Sequence, residues 1–118
     1  MPIFGRSNRM DQDSNVIEEE LDPRQQAESR LSGLMARAQT GDSAAYREFL
    51  ETALPVVRRF IGNKIRDADW AEDIAQEVLV SIHRARASYD PERPIFPWIH
   101  AIAHRRFVDH MRKWSRIS

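Results

Sequence analysis

Apolar side chains recur every three or four residues through most of this chain, and in no segment do they alternate with polar side chains as in a half-buried strand. Four successive segments show the helical spacing, the first through Leu31 and Leu34 and the last from about Pro97 to about Trp114. Each segment places its apolar residues on one stripe that must be buried against another helix. The chain is therefore predicted to be all-α, a compact bundle of about four helices.

Turn-forming and capping residues mark the predicted helix ends. Gly41 ends the first helix, and Asp42 or Ser43 caps the second. Pro55 lies inside the second helix, where its ring removes one backbone donor. Because the apolar pattern keeps its phase across Pro55, we predict a kinked helix and not two helices.

A proline-rich loop is predicted between the third and fourth helices. The third helix begins at Asp67 or Asp69 and ends near Ser88. Three prolines follow at a spacing of three residues, namely Pro91, Pro94 and Pro97. Because proline cannot continue a helix, residues 88–97 are predicted to be a stiff loop, with the fourth helix beginning near Pro97.

Composition excludes several classes of protein. Residues 1–26 are polar and acidic with little periodicity, so they are predicted to be a disordered leader that precedes a folded domain at residues 27–116. No apolar run approaches the roughly 20 residues that span a bilayer, so no membrane insertion is expected. The chain has no cysteine, which rules out disulfides and thiolate metal sites and fits the cytoplasm, the predicted location.

A net charge of zero hides an asymmetry along the chain. Residues 1–79 carry ten basic and fifteen acidic side chains, whereas residues 80–118 carry eight basic and three acidic ones. The fourth helix contributes Arg105, Arg106, Arg112, Lys113 and Arg116. Aromatic residues beside it, here Tyr89, Phe96 and Trp98, suit single-stranded nucleic acid, whose phosphates bind cations and whose bases stack on rings. The alternatives are charges that interact with the helix dipole and aromatic rings that belong to the core.

The polar side of the third helix is predicted to carry a contiguous ridge. Its members follow a spacing of three, four and seven residues and therefore share one face. This third-helix ridge consists of Asp73, Gln76, Glu77 and Val80. Hydrogen-bond acceptors around an apolar centre suit a basic, partly apolar partner surface, and an ordinary solvated helix face is the alternative.

Two histidines four residues apart raise the question of a metal. His100 and His104 share a helix face at the spacing of zinc metalloproteases, but Ala101 stands where those enzymes have the glutamate base. The alternatives are histidines that are simply polar or face DNA, and a pair that binds a metal with a third ligand. Nucleophile-elbow and phosphate-loop glycines are also missing from the sequence, so neither enzymatic activity nor a cofactor is predicted.

Three blocks of sequence together resemble region 2 of the extracytoplasmic-function (ECF) group of bacterial sigma factors. They are DIAQEVL at residues 73–79, YDPERP at residues 89–94 and PWIHAIAHR at residues 97–105. Each block alone is a weak signal, but their order and spacing match the family. The resemblance covers about residues 30–114.

The resemblance implies contact with RNA polymerase. The family's Asp-x-x-Gln-Glu motif falls on Asp73, Gln76 and Glu77, and Val80 lies on the same ridge. In the family this helix docks on the clamp coiled coil of the largest catalytic-side polymerase subunit. Core RNA polymerase is therefore the partner expected for the third-helix ridge.

The resemblance also implies binding of the non-template strand of promoter DNA. In relatives, the loop that matches residues 89–97 captures a base flipped out of the minus-ten element. The residues expected to bind DNA are Ala85, Tyr89, Asp90, Arg93, Phe96, His100, Arg105, Arg106, Arg112 and Lys113. Trp98 matches a family tryptophan and is expected mainly to pack. Arg105 stands where relatives often have asparagine and His100 where they often have an aromatic residue, so the preferred base stays open.

The function implied is that of a non-enzymatic sigma factor domain that binds polymerase and recognises and melts the minus-ten element to initiate transcription. An anti-sigma factor is expected as a further partner. Sigma factors of this group also have a region 4, which nothing in the sequence resembles, so the chain is expected to hold the N-terminal domain without it. The alternatives are a helical protein-interaction module that does not bind DNA and a helical protein with a histidine-bound metal.

Overall fold

Four α-helices in succession make up the part of the chain that the computed structural model describes, residues 22–117. They are α1 (Pro23–Gln39), α2 (Ser43–Gly62), α3 (Ala68–Ala85) and α4 (Ile95–Ile117), and a 3₁₀ turn at Arg86–Ser88 follows α3. No strand occurs within residues 22–117, and the predicted all-α fold is confirmed.

The chain divides into two units, Met1–Arg30 and Leu31–Ser118. Of the first unit, residues 22–30 are described, and they contain the first part of α1. Most of the predicted leader, residues 1–21, lies outside the described residues. Residues 23–26 are helical, so the first helix begins earlier than its apolar pattern indicated.

Side-chain caps begin three of the helices. The Asp42 carboxylate accepts a hydrogen bond from the backbone N–H of Ala45 at 3.0 Å, which selects Asp42 from the two predicted caps of α2. In α3, Asp67 accepts from the N–H of Trp70 at 2.9 Å. Reciprocal bonds between Asp22 and Gln25 form a capping box before α1. These bonds satisfy backbone donors that a first helical turn leaves without an intrahelical partner.

Glycine and proline act at the helix ends and interiors. Gly41 has a φ of 103°, a left-handed conformation that suits glycine and turns the chain between α1 and α2. Helix α2 continues through Pro55 without a break. Helix α4 begins at Ile95, two residues before the predicted start, and Pro97 lies in its first turn. Proline fits there because first-turn N–H groups have no intrahelical acceptor.

The core of the second unit draws on all four helices. Helices α2, α3 and α4 pack against one another, and the second half of α1 adds three buried side chains. The largest fully buried side chains are Leu31, Met35, Phe49, Val57, Ile61, Ile74, Val78, Ile82, Ile95 and Ile99. Burial of these apolar stripes turns α3 and α4 so that their polar faces point outwards. None of the described helices is long and apolar enough to cross a membrane.

Candidate functional site

The third-helix ridge is exposed on α3. Asp73, Gln76 and Glu77 are all exposed, and the Val80 side chain is 49 % exposed. Ile82 is fully buried and anchors the opposite side of the helix. The ridge therefore presents carboxylate and amide groups beside an apolar side chain to solvent, as its spacing predicted.

An ion pair next to the ridge joins it to α2. The guanidinium of Arg58 donates two hydrogen bonds to the Glu72 carboxylate, at 2.9 and 2.8 Å, and Gln76 Nε2 donates to the same carboxylate at 2.9 Å. These bonds stabilise the charged carboxylate, chiefly through Arg58, and lower the pKa of Glu72 to about 2. The pairing fixes the Gln76 amide at one edge of the ridge.

A second contact joins the ridge to α4. Nε2 of His110 lies 3.0 Å from Oε1 of Glu77. Beyond it, the rings of Trp70 and Trp114 meet with centroids 5.5 Å apart. They line a groove of about 450 Å³ whose walls also include Asp67, His110 and Lys113. The start of α3 and the end of α4 thus form a continuous surface beside Glu77.

The tyrosine predicted to stand in the DNA pocket is a buried anchor of the loop before α4. Tyr89 is 3 % exposed, and its hydroxyl lies 2.6 Å from Oγ of Ser32 and donates to the backbone carbonyl of Arg93. Its ring packs on Trp98 with centroids 5.3 Å apart. In this conformation the Tyr89 ring supports the loop and offers no open face on which a base could stack.

The aromatic residues that flank His100 form a stack. Phe96 is 7 % exposed, with its ring centroid 5.8 Å from that of His100. On the other side of the imidazole, the ring of Phe60 from α2 lies 5.1 Å away. The Lys64 ammonium lies 4.8 Å from the Phe60 centroid, which places a cation at the end of the stack. The Phe96 ring is therefore buried in this stack and is not exposed to solvent.

The basic residues of α4 lie on more than one face. Arg105 and Arg112 are exposed and, being seven positions apart, point within about 20° of each other. Arg106 is partly buried and forms an ion pair with Asp109. Lys113 lines the groove beside Trp114. The cations that share the open face are Arg105 and Arg112, with Arg116 one turn further on.

The remaining predicted DNA-binding residues are distributed around the loop. Ala85 is the last residue of α3 and is half-buried. Asp90 and Arg93 are exposed on the loop and form an ion pair at 3.5 Å. His100 and Arg105 are five positions apart on α4, a rotation of about 140°, so the structure does not bring them to one face.

The histidine pair that raised the question of a metal lies on the side of α4 that faces the Phe60 stack. His100 stands between two phenyl rings, and His104, one turn on, is exposed. Within residues 22–117, no group of three or more His, Cys, Asp or Glu side chains is placed to hold a metal ion.

Four residues that belong to no motif in the sequence make contacts beside the candidate sites. They are Ser32, Gln39, Trp70 and His110. Gln39 donates hydrogen bonds to two carbonyls of the loop, and His110 meets a residue 33 positions away. Contacts over such separations depend on how the helices cross. The apolar pattern could reveal only Trp70, as part of the α3 stripe.

The chain matches known proteins over the helices just described. The family model for Sigma-70 region 2 matches residues 49–117. The chain is 36% identical over 87 residues to the ECF RNA polymerase sigma factor SigF of Caulobacter vibrioides, which covers 73% of this chain and 49% of the relative. It is 36% identical over 92 residues to SigD of Mycobacterium tuberculosis, covering 74% of this chain and 43% of the relative.

A third ECF relative, SigK of Mycobacterium tuberculosis, is 29% identical over 85 residues, which are 71% of this chain and 46% of the relative. The chain thus spans about half the length of the curated relatives it matches. No solved structure gives a significant match.

The match includes the ridge-bearing helix, the loop and the basic helix, which are the three blocks on which the resemblance rested. Sigma factors are not enzymes, and the prediction of a non-enzymatic protein is confirmed at the level of the family. The chain belongs to the Sigma-70 region 2 family and is a region 2 of the ECF sigma factor group.

Proposed function

We propose that this domain serves transcription initiation by binding two partners at once, core RNA polymerase through the third-helix ridge and the non-template strand of promoter DNA through the loop and α4. The observation that carries the proposal is the separation of two exposed surfaces of opposite charge on neighbouring helices. The ridge offers Asp73 and Glu77, whereas α4 offers Arg105 and Arg112. Rigid packing of α3 against α4 fixes the distance between them.

The polymerase partner is the clamp coiled coil of its largest catalytic-side subunit. Gln76 and Glu77 suit a basic surface because their oxygens accept hydrogen bonds, and Val80 adds an apolar contact at the C-terminal end of the ridge. The bidentate pair of Arg58 with Glu72 supports this assignment because it holds the neighbouring Gln76 amide in one orientation before binding.

The DNA partner is the single-stranded minus-ten element as it melts. The proposal has Arg105 and Arg112, which share one exposed face of α4, follow the phosphates, and the exposed Arg93 of the loop meet a base edge or phosphate. Three aromatic side chains support the loop through their burial and ring contacts, namely Tyr89, Phe96 and Trp98. Extrusion of a base costs a few kcal/mol of unstacking, which contacts in the pocket must offset.

One further partner and the location belong to the same proposal. An anti-sigma factor that covers the ridge would block polymerase binding, and one that covers the loop and α4 would block DNA binding. The exposed ridge offers it the same contacts as polymerase. The site of action is the cytoplasm, where polymerase and chromosome meet. The domain binds and positions its partners and carries out no covalent chemistry.

A matched pair of variants tests whether the two surfaces are separate. Arg105→Ala is expected to weaken binding of a fluorescent single-stranded non-template oligonucleotide by about tenfold and to leave binding of a clamp coiled-coil peptide within twofold. Gln76→Ala is expected to weaken binding of the clamp peptide by about tenfold and to leave binding of the oligonucleotide within twofold. If each variant weakened the binding of both ligands equally while remaining helical by circular dichroism, the two-surface proposal would be wrong. Retained peptide binding by a wild-type chain that binds no DNA would favour a protein-interaction module.

A further inference from the structure

The loop before α4 is held from the side by a glutamine at the end of α1. Nε2 of Gln39 donates to the backbone carbonyl of Arg86 at 2.9 Å and to that of Tyr89 at 2.8 Å. One side-chain amide nitrogen carries two N–H groups, and here both have acceptors. The amide can adopt only this orientation, because its oxygen would repel the two carbonyls. Gln39 therefore joins both ends of the turn at residues 86–89 to α1.

A serine about two turns earlier on the same face of α1 holds the same loop through the Tyr89 hydroxyl. The Tyr89 hydroxyl has one proton and donates it to the Arg93 carbonyl, which can only accept. Ser32 Oγ, 2.6 Å away, must therefore donate to the phenol oxygen. Tyr89 is almost fully buried, and both of these hydrogen bonds are partly buried. Ser32 and Gln39 thus bond two successive parts of one loop.

Several further hydrogen bonds within residues 86–94 and with the end of α3 are local. Ser88 Oγ donates to the Ala85 carbonyl at 2.6 Å, and the N–H of Arg93 donates to the Asp90 carbonyl at 2.9 Å. Such bonds shape individual turns but do not fix where the loop lies against the bundle. Contacts that join the loop to the bundle include the hydrogen bonds to Ser32 and Gln39 and the packing of Tyr89 on Trp98.

We propose that Ser32 and Gln39 are positioning residues for base recognition. They hold the loop at residues 86–94 in one conformation, so the exposed Asp90 and Arg93 are presented to DNA without an ordering cost at the moment of binding. This inference rests on the proposed function, since it assumes that the loop meets a promoter base. Neither side chain needs to touch DNA itself.

The first arm of the test measures the loop without DNA. Gln39→Glu keeps the size of the side chain but replaces two donors by a carboxylate oxygen that faces two carbonyls. Amide hydrogen exchange across residues 86–94 of the full chain is expected to quicken by about tenfold. Gln25→Glu is the matched control on the same helix, because a carboxylate still accepts the bond from the Asp22 N–H. Its loop exchange should equal that of the wild type.

Serine variants separate the hydroxyl from general packing. Ser32→Ala removes the donor to Tyr89 and is expected to quicken loop exchange, whereas Ser32→Thr keeps a hydroxyl and should restore slow exchange. A merely structural role would lower the unfolding midpoint of the whole domain and quicken exchange throughout the core. The proposal requires the change to be confined to the loop.

The second arm measures base selection. A randomised pool of single-stranded DNA is bound to each variant, and the enrichment of the preferred base is read by sequencing. Gln39→Glu is expected to reduce that enrichment about tenfold while the dependence of affinity on salt stays unchanged, because the phosphate contacts of α4 remain. Gln25→Glu should select as the wild type does.

Each outcome of the two arms supports or contradicts the positioning role of Ser32 and Gln39. Unchanged loop exchange in Gln39→Glu would overturn the inference, and so would faster exchange with unchanged base selection. A wild-type chain without salt-dependent DNA binding would overturn the proposed function and with it the recognition role. In that case the exchange arm would still show whether α1 holds the loop, so the two failures are distinguishable.

Discussion

Nε2 of His110 lies 3.0 Å from Oε1 of Glu77, so a side-chain bond ties α4 to the third-helix ridge. The imidazole is largely covered, with 17 % of its side chain exposed, whereas the carboxylate is about half exposed. One oxygen of Glu77 is thus engaged within the domain, and the group still reaches the surface proposed to meet polymerase. The bond links the two proposed binding helices at a defined point.

A double-mutant cycle of Glu77→Gln and His110→Ala should show coupling between these residues. We expect a coupling free energy of unfolding of about 0.2–1 kcal/mol, because the pair is partly screened by solvent. Urea unfolding of the four chains measures this coupling, and additive free energies would contradict the contact.

Two valines on α3 should separate stability from binding. Val78 is fully buried and Val80 is 49 % exposed. Val78→Ala removes two buried methyl groups and should lower the free energy of unfolding by about 2 kcal/mol. Val80→Ala should change it by no more than about 0.5 kcal/mol, yet weaken binding of the clamp peptide several-fold. Urea unfolding and peptide titration distinguish the two effects, and a strongly destabilised Val80→Ala would place that side chain in the core.

The salt dependence of DNA binding should report which arginines meet phosphate. Replacing Arg105 or Arg112 by glutamine should lower the slope of log affinity against log salt by about 1 each. Arg106→Gln should change the slope less, because that guanidinium is already paired with Asp109. Titration of a single-stranded oligonucleotide over a range of salt concentrations gives the slopes. Equal losses for all three would mean that the Arg106 pair opens on binding.

The Glu72 carboxyl should titrate well below its ordinary range. Its hydrogen bonds to Arg58 and then Gln76 lower its pKa from 4.5 to about 2. Since the folded pKa lies below the unfolded one, the pair stabilises the folded chain above about pH 4.5 and loses that effect as the pH falls towards 2. Carboxyl chemical shifts measured by NMR should give the low value.

The variant Arg58→Met removes the first of these partners. It should return the pKa of Glu72 towards 4.5, and Glu72→Gln should flatten the fall in thermal midpoint over the same pH interval. A pKa of Glu72 that did not respond to Arg58→Met would show that the bidentate pair is absent in solution.

Local sequence determined the helices and most of the residues at which they begin and end. The periodicity of the apolar residues predicted α2, α3 and α4, and the short side chains of Asp42 and Asp67 cap α2 and α3 as expected. Pro55 did not end its helix because the apolar stripe on both sides of it packs into the same core. Two starts were misplaced: α1 begins at Pro23 and α4 at Ile95, because a capping box and a first-turn proline carry little apolar signal.

In the candidate site too, local spacing predicted some features and contacts between helices decided others. The spacing of Asp73, Gln76 and Glu77 was enough to predict an exposed face on α3, since residues three and four apart on a helix are neighbours whatever surrounds them. The roles of Tyr89 and His100 could not be predicted in this way. Whether an aromatic ring is open to a base or closed by a neighbour depends on side chains from other helices, here Ser32 and Phe60.

The sequence by itself therefore determined the four helices and the faces that each helix turns outwards, because these follow from contacts within a few residues. The order and spacing of the three motif blocks determined the family. Only the tertiary structure decided that Gln39 would hold the loop, that Tyr89 would be buried and that His110 would meet Glu77. Those contacts join positions from 33 to 57 residues apart. They depend on the angles and separations at which packed helices cross, and the interlocking of side chains from all four helices sets that geometry.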